Sequence, residues 1–448
     1  MAPLRRTQNP LGPSRRSVLA MVAAGALATP LAACSSSSGS GSGGGGDVTL
    51  QFWTWSLKGT DAEAQAIVEQ YEKANPGVKI QLSEVGGTAD TSSKLVAADR
   101  AGDVPDVVQV EYRGLASLVT AGVVKDITDG VADERAGIDQ NVWDLTTLDG
   151  KVFGVPQDIG PMMLTYRADL FQQYGVTPPT TWAEYAAAAE KIHAADPSVY
   201  IAAYAPDQFE FFAAHAAQAG GKWWSTDGSS WSIGIDDAAT QQIADFWQDL
   251  VDRDLVSVQP LLTPEYNAQL NAGKILSWAA AAWAPSVLYS VAPDTAGKWA
   301  ASPLPQWTAG DAAVPFLGGS TYLVPEKSKN AEAAAKFAAW LGASDEGSNL
   351  LLGLDLYPAG NGGRQATLTQ APPQLMPQQT DFFTVADQVI KDTSISVQWG
   401  PNVNVAQSTF GDAMSAAAQN GTPFQGAFTT TQDAVVADLQ KAGYTVTG

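Results

Sequence analysis

The sequence predicts an α/β protein of two lobes. Three observations carry this: short apolar strands alternate with amphipathic helices from residue 48 onward, about 400 residues follow the N-terminal segment, more than one core usually serves, and 45% hydrophobic against 16% charged residues is ample for packed interiors. Residues 48–55 (Val48-Thr49-Leu50-Gln51-Phe52-Trp53-Thr54-Trp55) read as a strand ending in aromatics. A helix follows over 61–74, where Ile67, Val68 and Tyr71 share a face. Asn75-Pro76-Gly77 ends it before a strand over 78–82, giving a β-α-β unit. A strand over 107–110 with a helix over 114–121, and a strand over 151–155 before the segment 156–166, extend the alternation and argue for parallel sheets covered by helices. Residues 182–194, 209–218, 240–252 and 266–273 carry helical apolar spacing. Residues 322–325 read as a strand leading to a helix over 331–341, and the last hundred residues supply a strand over 394–397 and a helix over 431–442.

Ahead of the globule, residues 1–33 contain Arg5, Arg6, Arg15 and Arg16 and no acid, then an apolar run from residue 18 to 33. This is an export signal, shorter than the roughly 20 residues that span a bilayer. Ser14-Arg15-Arg16-Ser17-Val18-Leu19 also resembles a twin-arginine signal, which leaves general secretion and the twin-arginine route both open. Leu31-Ala32-Ala33-Cys34 resembles a lipobox, implying that Cys34, the only cysteine, is lipidated after cleavage. Residues 35–46 are only Ser and Gly, a tether of about 20 Å root-mean-square span. The globule is thereby expected at the outer face of the cell membrane, held by a lipid anchor.

Composition narrows the chemistry. Twenty-five Lys and Arg against 46 Asp and Glu, a net charge of -21, disfavour nucleic acid as a partner. One cysteine and two histidines, His193 and His215, exclude an internal disulfide and a Cys-rich zinc site, so no metal or cofactor is expected; each histidine reads as packed or surface structure. The nucleophile-elbow, zincin, P-loop and dinucleotide signatures are absent, so no catalytic residue is assigned. Acid pairs such as Asp236-Asp237 keep a secreted glycoside hydrolase as the alternative. Of 14 tryptophans, Trp182, Trp247 and Trp340 sit at helical spacing and read as core. Trp55, Trp223, Trp224, Trp283 and Trp399 sit at element ends or among Gly and Pro, where a flat ring can meet the apolar face of a sugar.

The resemblance rests on several motifs in order. Val155-Pro156-Gln157-Asp158-Ile159-Gly160-Pro161-Met162, Tyr166-Arg167-Ala168-Asp169-Leu170-Phe171 and Pro179-Thr180-Thr181-Trp182 are similar to the crossover segment of bacterial extracellular solute-binding proteins of carbohydrate ABC importers. Asp106-Val107-Val108-Gln109-Val110-Glu111-Tyr112, Gly297-Lys298-Trp299, Pro303-Leu304-Pro305-Gln306-Trp307, Gly318-Gly319-Ser320 with Val324-Pro325, and residues 334–341 extend it over the chain from Asp47 to the C-terminus. The resemblance implies a two-lobed periplasmic-binding-protein-like fold with a hinge and a ligand cleft between the lobes. One lobe would comprise 47–157 plus 314–343 and the other 158–313 plus 344–448. It also implies a sugar or oligosaccharide ligand, permease subunits as partners, and a monomer. Carried over, Asp158 and Gly160 sit at the hinge facing ligand, Gln109, Glu111 and Tyr112 on the first lobe, Trp283 as a stacking platform, and Gly318, Gly319 and Ser320 where backbone approaches the sugar. Trp55, Trp223 and Trp399 are further candidates. Only one of Gln109 and Glu111 is expected to face ligand, with Tyr112 in place of the other. The largely aromatic stretch 52–58 leaves the first subsite undefined.

Overall fold

A computed structural model describes residues 47–447 apart from 87, 228–229, 355 and 393. The export signal, Cys34 and the Ser/Gly tether lie outside the described residues. Ten strands form one twisted sheet: β1 (Val48–Thr54), β2 (Val78–Glu84), β3 (Val107–Glu111), β4 (Val155–Arg167), β5 (Tyr200–Tyr204), β6 (Ser257–Val258), β7 (Ile275–Ala281), β8 (Trp299–Pro303), β9 (Val314–Leu323) and β10 (Ser394–Ile395). Their order is β6-β5-β7-β4-β9-β3-β1-β2, with β8 also paired to β4 and β10 to β9.

The β-α-β reading holds at one end of the sheet, where β1 runs parallel to β2 and β3; at the other end β5 runs parallel to β6 and β7, strands that the helical spacing of 182–273 did not show. The middle departs from the all-parallel expectation. β4 runs antiparallel to β7, β8 and β9, and β9 runs antiparallel to β3 as well, because they are long strands passing between the two halves instead of steps in a parallel series; only the short β10 pairs β9 in parallel. The first half of β4 bonds β9, and the second half, 162–167, bonds β7 and β8. Nearly every residue of β4 is buried. A strand covered on both faces shows no polar alternation, so 156–166 gave no period-two signal. Pro156 and Pro161 are tolerated because the β4–β9 register slips between Phe316 and Gly319 and again between Ser320 and Thr321.

Around β1, β2, β3 and β9 pack the helices Ala62–Ala74, Thr88–Ala101, Tyr112–Thr120 and Ala331–Ala343; around β5, β6 and β7 pack Trp182–Ala195, Phe209–Gln218, Ala238–Asp252, Val403–Asn420 and Gln425–Lys441. These are the two lobes of a periplasmic-binding-protein fold, meeting on β4 and β9. In the first, Phe52 packs edge-on to Tyr322 and Phe337. In the second, Phe209, Phe212, Trp223, Trp224 and Phe410 form a continuous aromatic core. Trp182 is buried and its indole donates to Gln218 Oε1 at 2.9 Å. His215 is fully buried against the Trp182 ring; it accepts from Trp247 Nε1 at 3.3 Å, and burial pushes its pKa down to about 3, so it is a neutral packing group.

Past the boundary expected at 343/344, helix Asp345–Leu350 packs beside helix Ala331–Ala343: Glu346 accepts from Gln70 on helix Ala62–Ala74 and from Trp340 Nε1 at 3.3 Å, and Ala359 N donates to Gln157 O at 3.0 Å. The Ser344 hydroxyl that caps this helix also bonds Trp340 O, which ties the segment back onto the preceding helix.

Candidate functional site

The site is built where β3, β9 and β4 lie side by side. Their register places Glu111 opposite Ser320 and Ser320 opposite Asp158. Asp158 is 9% exposed, and its Oδ1 accepts Ser320 N–H at 3.0 Å. Burial pushes its carboxyl up to about 7, with Glu111 adding to the rise and the Ser320 hydrogen bond opposing it. Tyr112 Oη donates to the Asp158 carbonyl at 3.0 Å, fixing helix Tyr112–Thr120 to β4. Gln109 is buried and turned from the cleft: its Oε1 accepts from Thr54 Oγ1 at 2.7 Å, Ser56 Oγ at 2.9 Å, and Trp55 N and Ser56 N at 3.2 Å each. Of the two residues, Glu111 is therefore the one at the cleft, and Gln109 shapes the loop after β1.

Above this seam lies a cavity of about 330 Å³. Glu111, Leu317, Gly318 and Gly319 form its floor on β3 and β9. Ala202 to Ala205, Asp207, Gln208, Phe209, Glu210 and Phe211 line it from the end of β5 and the helix that follows, while Trp278, Ala279, Trp283, Tyr185, Trp247 and Gln407 close the walls. Loops beyond strand ends are the usual ligand position in such sheets. Trp283 is half-buried, stands edge-on to Trp278 at 5.5 Å, and its indole N–H donates to Leu317 O at 3.1 Å. Its ring also lines a second hollow of about 310 Å³ with Tyr289, Tyr357, Pro372, Pro373 and Phe383.

The glycines explain how backbone reaches the cavity. Gly319 has φ +98° and a Cβ there would lie 2.7 Å from Asp158 O and 2.8 Å from the Tyr112 ring. Gly318 has φ +74° with nothing nearer than Trp283 Nε1 at 3.6 Å. Gly160 sits beneath the anchor of Trp283: a Cβ would meet Leu317 O at 2.2 Å and Trp283 Nε1 at 3.1 Å. It supports the ring and does not itself line the cavity.

One cation serves the cleft. Arg113 Nε bonds Glu111 Oε2 at 2.6 Å and Glu210 Oε1 at 3.0 Å, and its guanidinium also donates to Gln407. Glu111 ends β3 and Arg113 lies in the helix after it, whereas Glu210 and Gln407 lie on helices Phe209–Gln218 and Val403–Asn420, so this network ties the end of β3 to two helices far from it in sequence. The Glu210 carboxyl is held well above its ordinary range by burial and by Glu111, with Arg113 opposing. Among the described residues no group of three His, Cys, Asp or Glu is arranged to hold a metal ion, and no helix is long and apolar enough to cross a membrane.

Of the expected residues, Glu111, Trp283, Gly318 and Gly319 come together at the main cavity. Tyr112 and Trp399 join Glu111 and the two glycines around a small adjoining hollow of about 20 Å³. Asp158 and Ser320 lie buried directly below. Trp55 is half-buried at the loop held by Gln109 and does not line the cavity. Trp223, expected at the ligand, is 3% exposed within the second lobe's aromatic core, its N–H donating to Thr240 Oγ1 at 2.9 Å. The helix capped by Asp237 packs over it and removes it from the cleft. Trp224 is likewise core, its indole occupying the space that a side chain at Gly400 would fill. Sequence reasoning missed Asp207, Glu210, Phe211, Trp247 and Trp278; the one signal for the first three was Ala205-Pro206-Asp207-Gln208, a turn between a strand and a helix.

Two α/β lobes joined by shared strands, with an aromatic and acidic cavity at the junction, define a two-lobed small-molecule binding protein. A profile of the bacterial extracellular solute-binding proteins matches residues 54–347, and the chain belongs to that family, in its carbohydrate-importer type. It is 25% identical over 321 residues to an arabinooligosaccharide-binding protein of Bacillus subtilis, covering 68% of this chain and 72% of that protein. Among solved structures it resembles an ABC transporter associated binding protein of B. animalis subsp. lactis in complex with β-1,6-galactobiose, with a TM-score of 0.74 and 27% identity over 89% of this chain and 99% of the other. It also shares the fold of the galacto-N-biose/lacto-N-biose I-binding protein of Bifidobacterium longum, with a TM-score of 0.78 and 24% identity over 91% and 100% of the two chains.

Proposed function

We propose that this protein captures a sugar or short oligosaccharide outside the cell and delivers it to the permease of an ABC importer. The observation that carries the reading is the cavity of about 330 Å³ between the lobes, where Trp283, Trp278 and Phe211 face Glu111, Asp207 and Glu210. Aromatic rings take the apolar faces of a pyranose, and carboxylates and amides accept its hydroxyl hydrogens. The volume, at the lower end of small-ligand sites, suits a short sugar. Binding that is tighter in the closed than in the open arrangement draws the lobes together, and β4 and β9 are the strands on which they turn.

In this reading Cys34 carries the lipid, residues 35–46 are the leash, and the monomeric globule works at the outer face of the membrane after secretion or twin-arginine export. The closed form is what the permease distinguishes. The turnover point lies near Asp158 on β4, with the segment 345–367 belonging to the first lobe by its contacts.

A thermal-shift and calorimetric screen of the chain from Asp47 onward tests the reading. The panel includes β-1,6-galactobiose, lacto-N-biose and arabinooligosaccharides, with amino acids and peptides as controls. A gain in Tm with one sugar class, following RT ln(1 + [L]/Kd), and recovery of that sugar intact are expected. Consumption of the sugar would convert the reading to a glycoside hydrolase, and a response confined to another solute would replace the ligand. Loss of membrane retention in Cys34→Ser is the expected result for the anchor.

A further inference from the structure

We propose, building on the sugar reading, that this cleft selects its ligand by charge, accepting neutral and amine-bearing sugars and rejecting sugars that carry a carboxylate or phosphate. The cavity wall contains three carboxylates, Glu111, Asp207 and Glu210, and among the described residues no Lys, Arg or His lines it. The nearest cation is committed elsewhere: Arg113 Nε is held between Glu111 at 2.6 Å and Glu210 at 3.0 Å, its guanidinium also reaches Gln407, and it borders only the small adjoining hollow. Three acids against one spent guanidinium leave the site negative before any ligand enters.

The protein already resists this concentration of charge. Burial and the Glu111 carboxylate together hold Glu210 partly protonated, which is the response of a site where further negative charge is unfavourable. An incoming anion would have to displace Glu111 or Glu210 from Arg113 to find a counter-charge, leaving a displaced carboxylate unpaired. An ammonium group would instead pair with Asp207 or Glu210 and relieve the repulsion. A neutral sugar uses the same carboxylates as hydrogen-bond acceptors, so it loses nothing. Because a Debye length is about 10 Å at 0.1 M salt, the chain's net charge of -21 adds a general repulsion that salt removes, whereas the partly buried Glu111 and Glu210, beside the ligand position, are screened far less. Selection by the cleft must therefore survive high salt.

Calorimetry with matched ligands decides it: the neutral, 2-amino and C6-carboxylate forms of glucose and galactose, as single rings and as 1,4-linked dimers, at 20 and 500 mM salt. The expected result is that a neutral or amino form binds and its carboxylate partner binds at least 100-fold more weakly at both salts, as like-charge juxtaposition in an interface requires. Asp207→Asn, at an exposed turn position, should narrow that ratio about tenfold while leaving Tm unchanged. A carboxylate form within threefold of its neutral partner overturns the charge selection while the sugar reading stands. So does a discrimination that disappears at 500 mM salt, since it then belongs to the surface. Absence of binding by every form here and by every sugar of the thermal-shift panel overturns the sugar reading and this inference together.

Discussion

Replacing Asp158 by Asn separates the two things this residue supplies, an acceptor for Ser320 N–H and a buried negative charge. Its Oδ1 accepts that hydrogen bond at 3.0 Å, the residue is 9% exposed, and burial pushes its carboxyl up to about 7. Between roughly pH 4 and 7 the folded chain keeps a proton that the unfolded chain has lost, so stability falls as pH rises through that window and the loss is complete above 7. About three pKa units at 1.36 kcal/mol each sets an upper limit of about 4 kcal/mol. The residue's 9% exposure lets solvent screen part of the charge, which lowers this to about 2–4 kcal/mol. The Asn side chain retains an acceptor oxygen and cannot ionise, and Tyr112 bonds the backbone carbonyl, which is untouched. Denaturant unfolding of both proteins at pH 4.5, 6 and 8 measures the difference. The variant should exceed the natural chain by about 1 kcal/mol or less at pH 4.5 and by about 2–4 kcal/mol at pH 8. A difference independent of pH, or a variant less stable at pH 8, would refute the argument that the charge is the unfavourable element of the seam.

Trp283→Ala should weaken sugar binding about 30-fold or more, near 2 kcal/mol, by calorimetry, since the ring lines the cavity and is anchored to Leu317 O; unchanged affinity would remove it from the site. Gly319→Ala should destabilise by about 2 kcal/mol or more in denaturant titration, because its Cβ would press on Asp158 O at 2.7 Å, whereas Gly318→Ala, whose nearest neighbour is 3.6 Å away, should cost only the conformational strain of about 1 kcal/mol. Arg113→Met keeps the aliphatic stem but frees Glu111 and Glu210 to repel across the cleft; small-angle scattering should show a larger radius of gyration without ligand, and an unchanged radius would mean that the ion pairs do not hold the lobes. Thr181→Ala removes a capping box on helix Trp182–Ala195 and should lower stability by about 1 kcal/mol while leaving sugar affinity as it is.

Local signals carried much of the architecture. Asn75-Pro76-Gly77 ends one helix and releases the chain into β2, and the periodicity of 209–218 and 331–341 marks helices that the fold contains. The parallel pairing of β1 with β2 follows from a β-α-β unit whose parts are neighbours in sequence. The long strand β4 was not legible, because a strand buried on both faces has no alternation to read and its two prolines argue against pairing that only the slipped register of β9 permits. The same limit governed the site. Glu111, Trp283, Gly318 and Gly319 were identified from motifs, while Trp223 and Trp283 looked alike as rings beside Gly or Pro; one is packed under helix Ala238–Asp252 and the other stands at the cavity.

By itself the sequence determined an acidic, α/β chain long enough for two lobes, behind a basic and then apolar N-terminal segment of the kind an export signal has, a candidate anchor at Cys34, and a set of aromatic and glycine positions suited to a sugar. Those are properties of composition and of neighbours along the chain. Tertiary structure decided that Gln109 faces inward to hold the loop after β1, that Glu111 and Glu210 share Arg113, and that Asp158 lies buried beneath Gly319. These depend on which strands lie side by side: residues 111, 158 and 320 are brought into register by backbone hydrogen bonds between β3, β9 and β4, far apart in sequence, and their charges acquire meaning only at the few ångströms that this register imposes.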